Sequence, residues 1–144
     1  MNGLETMTAL LEGRLPIPPI ARLIGFEMVE VAAGHAVFAL DTDTKHQNPM
    51  GTLHGGVLCD LGDAAMGCVF VTDTAAAEIY TTLELKINFF KPVWKTRLTA
   101  TADVVRRTRK LAYVEASIVD AQGSLVARIN SSCLVLTGAD AAGR

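Results

Sequence analysis

The cleanest alternation of hydrophobic and polar positions lies in the second half of the chain. Across residues 82–90, Leu83, Leu85, Ile87 and Phe89 fall on one face and Glu84, Lys86, Asn88 and Phe90 on the other, the period of two that marks a strand. Lys91-Pro92 ends it, because proline has no N–H for a ladder. Residues 96–106 and 111–119 predict two more long strands joined by a basic turn, and Asp120 to Gly123 turns the chain into a fourth over 124–136. Earlier, Phe26, Met28 and Glu30 alternate with Glu27, Val29 and Val31, and Ala33-Gly34 leads into residues 35–40, which predicts a hairpin. Between hairpin and strands, residues 53–71 contain no helix breaker but glycine, and predict one long helix with Thr52 as its N-cap.

The ends are simpler. Residues 4–13 predict a short helix, broken over 13–19 by three prolines and a glycine, and residues 20–24 add one more turn. Residues after Thr137 read as a frayed tail over 138–144. No repeat or linker divides the chain, so residues 1–144 are expected to form a single α+β domain, a curved antiparallel β-sheet wrapped around a long central helix.

Around that helix at 100° per residue, Leu58, Leu61, Ala65, Cys68 and Val69 make one broad apolar stripe for the sheet to cover. The opposite side carries Cys59, Met66 and Phe70, with Asp63 among them. A helix apolar nearly all round is expected to be buried, where an unpaired carboxylate is costly, so Asp63 needs either a partner or a function. Asp60 lies about 60° away, and periodicity alone does not choose between the two carboxylates.

Composition narrows the function. The chain has 144 residues, half of them hydrophobic, and a formal net charge of −2, so a globular domain is expected and binding dominated by nucleic-acid phosphates or an anionic membrane is not. Arg14 is the first positive charge and no apolar run reaches a bilayer span, so neither a secretory leader nor a membrane anchor is expected. Cys59, Cys68 and Cys133 are odd in number and lack C-x-x-C spacing, which points away from disulfides and zinc and toward a reducing cytoplasm. Asp41, Asp43, His46 and His54 do not have the close fixed spacing of metal ligands, and no metal is expected. Cys59, one turn before Asp63, has no basic neighbour on the helix to activate a thiol.

The candidate chemistry sits in the Gly-rich stretch from Asn48 to Asp63, N-P-M-G-T-L-H-G-G-V-L-C-D-L-G-D, where a polar loop enters the helix. First-turn N–H groups have no intrahelical partner, and the helix dipole favours negative charge there. Gly55 and Gly56 lack a Cβ, which allows either close packing of the helix start or the approach of a flat electrophile to the Gly55 amide. His54 and Asn48, taken alone, fit ordinary loop residues.

The set N-x5-H-G-G-x6-D at Asn48, His54-Gly55-Gly56 and Asp63, followed by T-L-E-L-K-I-N-F-F-K-P from Thr82 to Pro92, resembles the hotdog-fold acyl-CoA thioesterases of the PaaI and 4-hydroxybenzoyl-CoA thioesterase group over roughly residues 20–137. The resemblance implies a hotdog fold and favours Asp63 over Asp60. It further implies that the Gly55 amide polarises the thioester carbonyl and that Asn48 positions the carbonyl or the attacking water. Asp63 of the partner subunit would act as general base or nucleophile, the shorter Asp favouring the base. His54 would orient the loop or approach the sulfur, and Thr82 would assist the water. Other members carry a Thr one turn after the carboxylate, where this chain has Gly67.

The expected substrate, an aromatic or medium-chain acyl-CoA hydrolysed to the free acid and CoA, with coenzyme A as part of the substrate and no separate cofactor, needs phosphate contacts and an acyl pocket. Arg106, Arg107, Arg109 and Lys110 form the densest basic cluster, with Lys91 a lesser candidate, and Gly56, Met66 and Phe70 are the expected substrate-binding residues on the helix. Gly55 and Asp63 lie about 12 Å apart along one helix at 1.5 Å per residue, too far to serve one carbonyl, so a homodimer with shared sites is expected. A dimer of dimers is the family's habit. Two competing expectations are a non-hydrolytic acyl-CoA binding domain and an acyl-thioester dehydratase or hydratase with His54 as principal acid/base.

Overall fold

A computed structural model describes residues 1–143; Arg144, the last residue of the expected tail, lies outside the described residues. In chain order the elements are α1 (Gly3–Leu11), α2 (Pro19–Ile24), β1 (Glu27–Ala32), β2 (His35–Asp41), α3 (Gly55–Val71), β3 (Ile79–Phe89), β4 (Arg97–Arg107), β5 (Leu111–Val119) and β6 (Leu125–Leu136), with short 3-10 turns at Thr44–His46 and Gly138–Ala141. The six strands form one antiparallel sheet in the order β1-β2-β4-β5-β6-β3, and α3 packs against it. This is the hotdog arrangement.

The core explains the layering. Leu61, Ala65 and Val69 of α3 are sealed against Leu98, Ala100 and Ala102 of β4, Val114, Ala116 and Ile118 of β5, and Ile129 of β6. Each strand contributes alternate residues, as a sheet with one covered face requires. The far end of α3 is covered differently. There α1 docks through Gly3, whose N–H reaches the Thr74 carbonyl at 3.2 Å, and a Cβ at Gly3 would collide with the Val71 carbonyl oxygen.

Four expectations are corrected. The helix begins at Gly55 and not Leu53, and its N-cap is His54: the Thr52 hydroxyl is taken by the Asn48 side chain, 2.7 Å away, and cannot reach the helix. The strand expected over 82–90 runs from Ile79 to Phe89 and carries a bulge between Thr82 and Glu84. Leu83 is the extra residue, 55% exposed, and so leaves the face of Leu85 and Ile87. The bulge is sealed by Ser131 Oγ on the Glu84 carbonyl (2.7 Å) and by the Ser132 N–H on the Glu84 carboxylate (2.9 Å). Asp63 is exposed in the protomer, because neither the sheet nor α1 and α2 cover its strip of α3. The tail forms a 3-10 turn at Gly138–Ala141, closed by the Ala142 N–H on the Ala139 carbonyl.

Beyond β3, Lys91 closes on Asp120 at 2.6 Å, and the buried Asp120 side chain also accepts from the N–H groups of Gln122 and Ser124. The Lys91 ammonium first, and then the Ser124 and Gln122 amides, hold the Asp120 carboxyl below its ordinary value. A carboxyl lowered on folding contributes stability above its unfolded pKa, and that contribution is lost as pH falls through the folded one. Asp120→Asn should therefore lower Tm by several degrees at neutral pH, with the gap to the parent protein closing in acid, as read by thermal melts over a pH series.

Candidate active site

The loop before α3 is built from its own polar side chains. His46 is buried, taking the Asp43 N–H on Nδ1 (2.9 Å) and donating from Nε2 to the Ile24 carbonyl (2.6 Å), so it ties the loop to the end of α2. Asn48 Oδ1 accepts from the N–H groups of Met50 (2.9 Å) and Thr52 (3.2 Å). With Nδ2 on Thr52, Asn48 is chiefly the clamp of this loop, and only one amide hydrogen is left for carbonyl or water. His46 is thus spent on the fold, and no group of three or more His, Cys, Asp or Glu side chains could hold a metal among the described residues.

His54 sets the helix start. Its Nδ1 accepts from the Gly56 N–H at 2.9 Å, which requires the tautomer with the proton on Nε2. The Gly56 amide is thereby used, whereas the Gly55 N–H has no partner among the described residues. The Phe89 ring lies against Gly55, with a Cβ there meeting its edge at 3.0 Å. Beside this amide is a cavity of about 410 Å³ lined by Leu53, Leu58, Phe89, Phe90 and Lys91. Lys91 is bound to Asp120, so it closes the wall of that cavity as half of an ion pair.

Asp63 lies eight residues along the same helix and has no hydrogen-bond or ion-pair partner among the described residues. Desolvation by the surrounding protein, and secondarily the Asp60 carboxylate, raise its pKa above the usual carboxylate value. Its charge in turn helps raise Cys59, Tyr80 and Cys133, after the larger effect of their own burial. Burial first, then Asp60 and Asp63, push the Cys59 thiol up, which works against a thiolate nucleophile there. Thr82 lies on β3 opposite Cys133, two residues from Tyr80 and immediately before the bulge.

Sequence reasoning missed Tyr80. A Cβ at Gly67, one turn beyond Asp63, would collide with the Tyr80 hydroxyl, so the phenol fills the space that glycine leaves open. Burial, and next Asp63, push its pKa up to about 12, so the phenol keeps its proton. The missing residue type at position 67 was the only signal in the sequence.

Three expected substrate contacts are corrected. Met66 and Phe70 are fully buried and line none of the described cavities; Phe70 packs at 5.0 Å on the Tyr80 ring, with the Arg107 guanidinium 5.4 Å above it. Arg107 also meets Asp73 at 3.3 Å and Glu78 at 3.5 Å, so it is a structural cation at the C-terminal end of α3. Arg106, Arg109 and Lys110 are exposed at the same turn, about 25 Å from Gly55 in one protomer by the length of the helix.

A hotdog sheet around a helix with a free first-turn amide and an unpaired carboxylate is an arrangement suited to acyl transfer. Residues 50–127 match the family model of the Thioesterase superfamily, and the chain belongs to that family. It is a thioester hydrolase. It is 32% identical over 97 residues to a 1,4-dihydroxy-2-naphthoyl-CoA hydrolase of Listeria monocytogenes, an alignment covering 67% of this chain and 79% of the relative. Among solved structures, a mutant form of the phenylacetic acid degradation protein PaaI from Thermus thermophilus superposes with a TM-score of 0.76 at 27% identity, over 81% of this chain and 98% of that one. The E. coli PaaI protein shares the fold, with a TM-score of 0.83 at 22% identity over 94% of each chain.

The structural reading of Arg107 separates it from its neighbours. Arg107→Ala should cost about 2–3 kcal/mol of stability by leaving Asp73, Glu78 and the Phe70 face without their cation. Arg109→Ala should leave the chemical denaturation midpoint unchanged. Equal midpoints for the two variants would contradict this assignment.

Proposed function

We propose that the protein is an acyl-CoA thioesterase working as a homodimer in which each site joins the Gly55 amide of one subunit to Asp63 of the other. The observation that carries this reading is the pairing, on one open strip of α3, of a first-turn N–H left unused with a carboxylate left unpaired. An antiparallel approach of two such strips would bring the amide and the carboxylate together across the axis. The long outer edge of β3, unpaired in the protomer, supports association along the same side. Exposed apolar side chains such as Trp94 and Val105 support a further pairing of dimers.

In this mechanism ionised Asp63 takes a proton from a water as the water oxygen bonds to the thioester carbon. The Gly55 N–H donates to the oxygen that becomes negative, where the helix N-terminus adds its favourable potential. The tetrahedral species then collapses with cleavage of the C–S bond, and the Asp63 carboxylic acid returns its proton to the departing thiolate. The products are a free acid and coenzyme A. Asn48 holds the loop and has one amide hydrogen for the carbonyl or water; the Thr82 and Tyr80 hydroxyls flank the water's approach. His54 orients the helix start. Its Nδ1 is committed to Gly56, which weighs against the dehydratase reading in which it is the principal acid/base.

The exposed Arg106, Arg109 and Lys110 are the cations we assign to the CoA phosphates. In an antiparallel helix pair the partner's basic turn would come back toward the Gly55 end. Three free cysteines suit a reducing cytoplasm as the site of action.

Thiol release from a panel of acyl-CoAs tests the reading. Asp63→Asn should lower kcat by about 10²–10⁴-fold. It should leave Tm equal or higher, because a carboxyl whose pKa rises on folding costs stability once it ionises. Gly55→Pro should lower kcat by at least about 10²–10³-fold, by deleting one N–H and by setting a Cβ against the Phe89 ring, while the first helical position and the extended His54 backbone (φ −67°, ψ 130°) accept proline. In the parent protein the acid limb of kcat/KM should lie above the ordinary Asp value, and Asp60→Asn should move it to lower pH by removing the like charge. Full activity in Asp63→Asn would overturn the assignment of the carboxylate.

A further inference from the structure

A second cavity, of about 470 Å³, opens on the other half of α3, and of its lining the proposed chemistry uses only the Tyr80 hydroxyl. Its floor on α3 is Ala64, Gly67, Cys68 and Val71, the residues that immediately follow Asp63 along the helix. Its roof comes from the N-terminal segment, with Met7 and Leu10 on α1 and Ile20 on α2, and Tyr80 closes the end nearest Gly67. The close approach of Gly3 to Val71 fixes α1 over α3, so this roof is built into the fold.

Polar chemistry is scarce inside it. Glu27 belongs to the lining, but its carboxylate is drawn out to Arg97 at 2.8 Å. The Cys68 thiol, pushed up to about 12 by burial, stays neutral. The Tyr80 hydroxyl sits at the Asp63 end, with no hydrogen-bond partner among the described residues. A hydroxyl or charge carried deep into the cavity would therefore lose its water without a replacement, whereas hydrocarbon would gain by burial. The volume falls in the range of small-molecule sites.

We propose that this cavity holds the acyl tail of the thioester, that the tail is an unsubstituted hydrocarbon of medium length, and that the N-terminal helices set its length limit. The inference rests on the thioesterase reading, and it assigns the tail to the subunit that supplies Asp63. The tail passes Asp63 and Tyr80, then runs along Gly67 toward Val71 beneath α1. The half-exposed Ile17 and Ile20, at 47% and 48%, form the rim where a longer chain would emerge into solvent.

The test is a chain-length profile with short, medium and long saturated acyl-CoAs, together with benzoyl-CoA and hydroxybenzoyl-CoA. For the parent protein, kcat/KM should rise about threefold to fourfold per added methylene until the cavity is full and then level off. Hydroxybenzoyl-CoA should fall about tenfold or more below benzoyl-CoA. Ile20→Trp at the rim and Met7→Trp in the roof, on separate helices, should each move the plateau to shorter chains, with a loss of kcat/KM that grows with chain length. Unaltered profiles in both active variants, or a preference for the hydroxylated ring, would overturn the cavity assignment and leave the hydrolase reading standing. No turnover of any thioester by the parent protein would overturn both.

Discussion

One helix, apolar on nearly every side, has to be covered on nearly every side, and the way α3 is covered determines the rest of the molecule. The sheet takes one broad face through Leu61, Ala65 and Val69. The N-terminal segment takes part of another through α1 and α2. What neither covers is the strip through Gly55, Gly56, Cys59, Asp60 and Asp63, whose residues are half-buried or exposed in the protomer. Burial thus leaves the amide and the carboxylate on the same open line, separated along one axis by more than a single carbonyl can bridge.

The order of the helix start follows from how few donors a first turn has to give. His54 uses the Gly56 N–H, and the Val57 N–H returns to the His54 carbonyl at 3.0 Å, so Gly55 alone is left with an unused hydrogen. His46 and Asn48 stand behind this. Their bonds hold the loop in a shape that presents His54 with an extended backbone, the geometry an N-cap needs. Residues that look catalytic in isolation are therefore divided between groups that build the site and groups free to meet a substrate.

Much of this was legible in the sequence because hydrophobic period reports directly on the elements: the four long strands, the hairpin and the long helix were all readable from alternation or its absence. What was not legible was which element covers which. Met66 and Phe70 share a side of the helical wheel with Asp63, yet they are sealed in the core while Asp63 is open, and only the path of the sheet and of α1 and α2 decides that. Leu83 fits a perfect alternation, and the bulge that turns it outward is made by Ser131 and Ser132 almost fifty residues later. Thr52 is the better cap by residue type but loses its hydroxyl to Asn48. The cavity under the N-terminal helices is invisible in one dimension because its walls come from six separate elements.

The central claim is that each site is completed across two subunits, and mixed dimers test it most directly. Gly55→Pro and Asp63→Asn protein, each inactive alone, would be differentially tagged, co-expressed, and the doubly tagged dimer assayed for thiol release. If sites are shared, one site of each mixed dimer recovers both an intact Gly55 amide and an intact Asp63 while the other loses both, and about half of the parent turnover per dimer returns. Mixed dimers as inactive as either variant alone would contradict the account and confine the chemistry to a single chain.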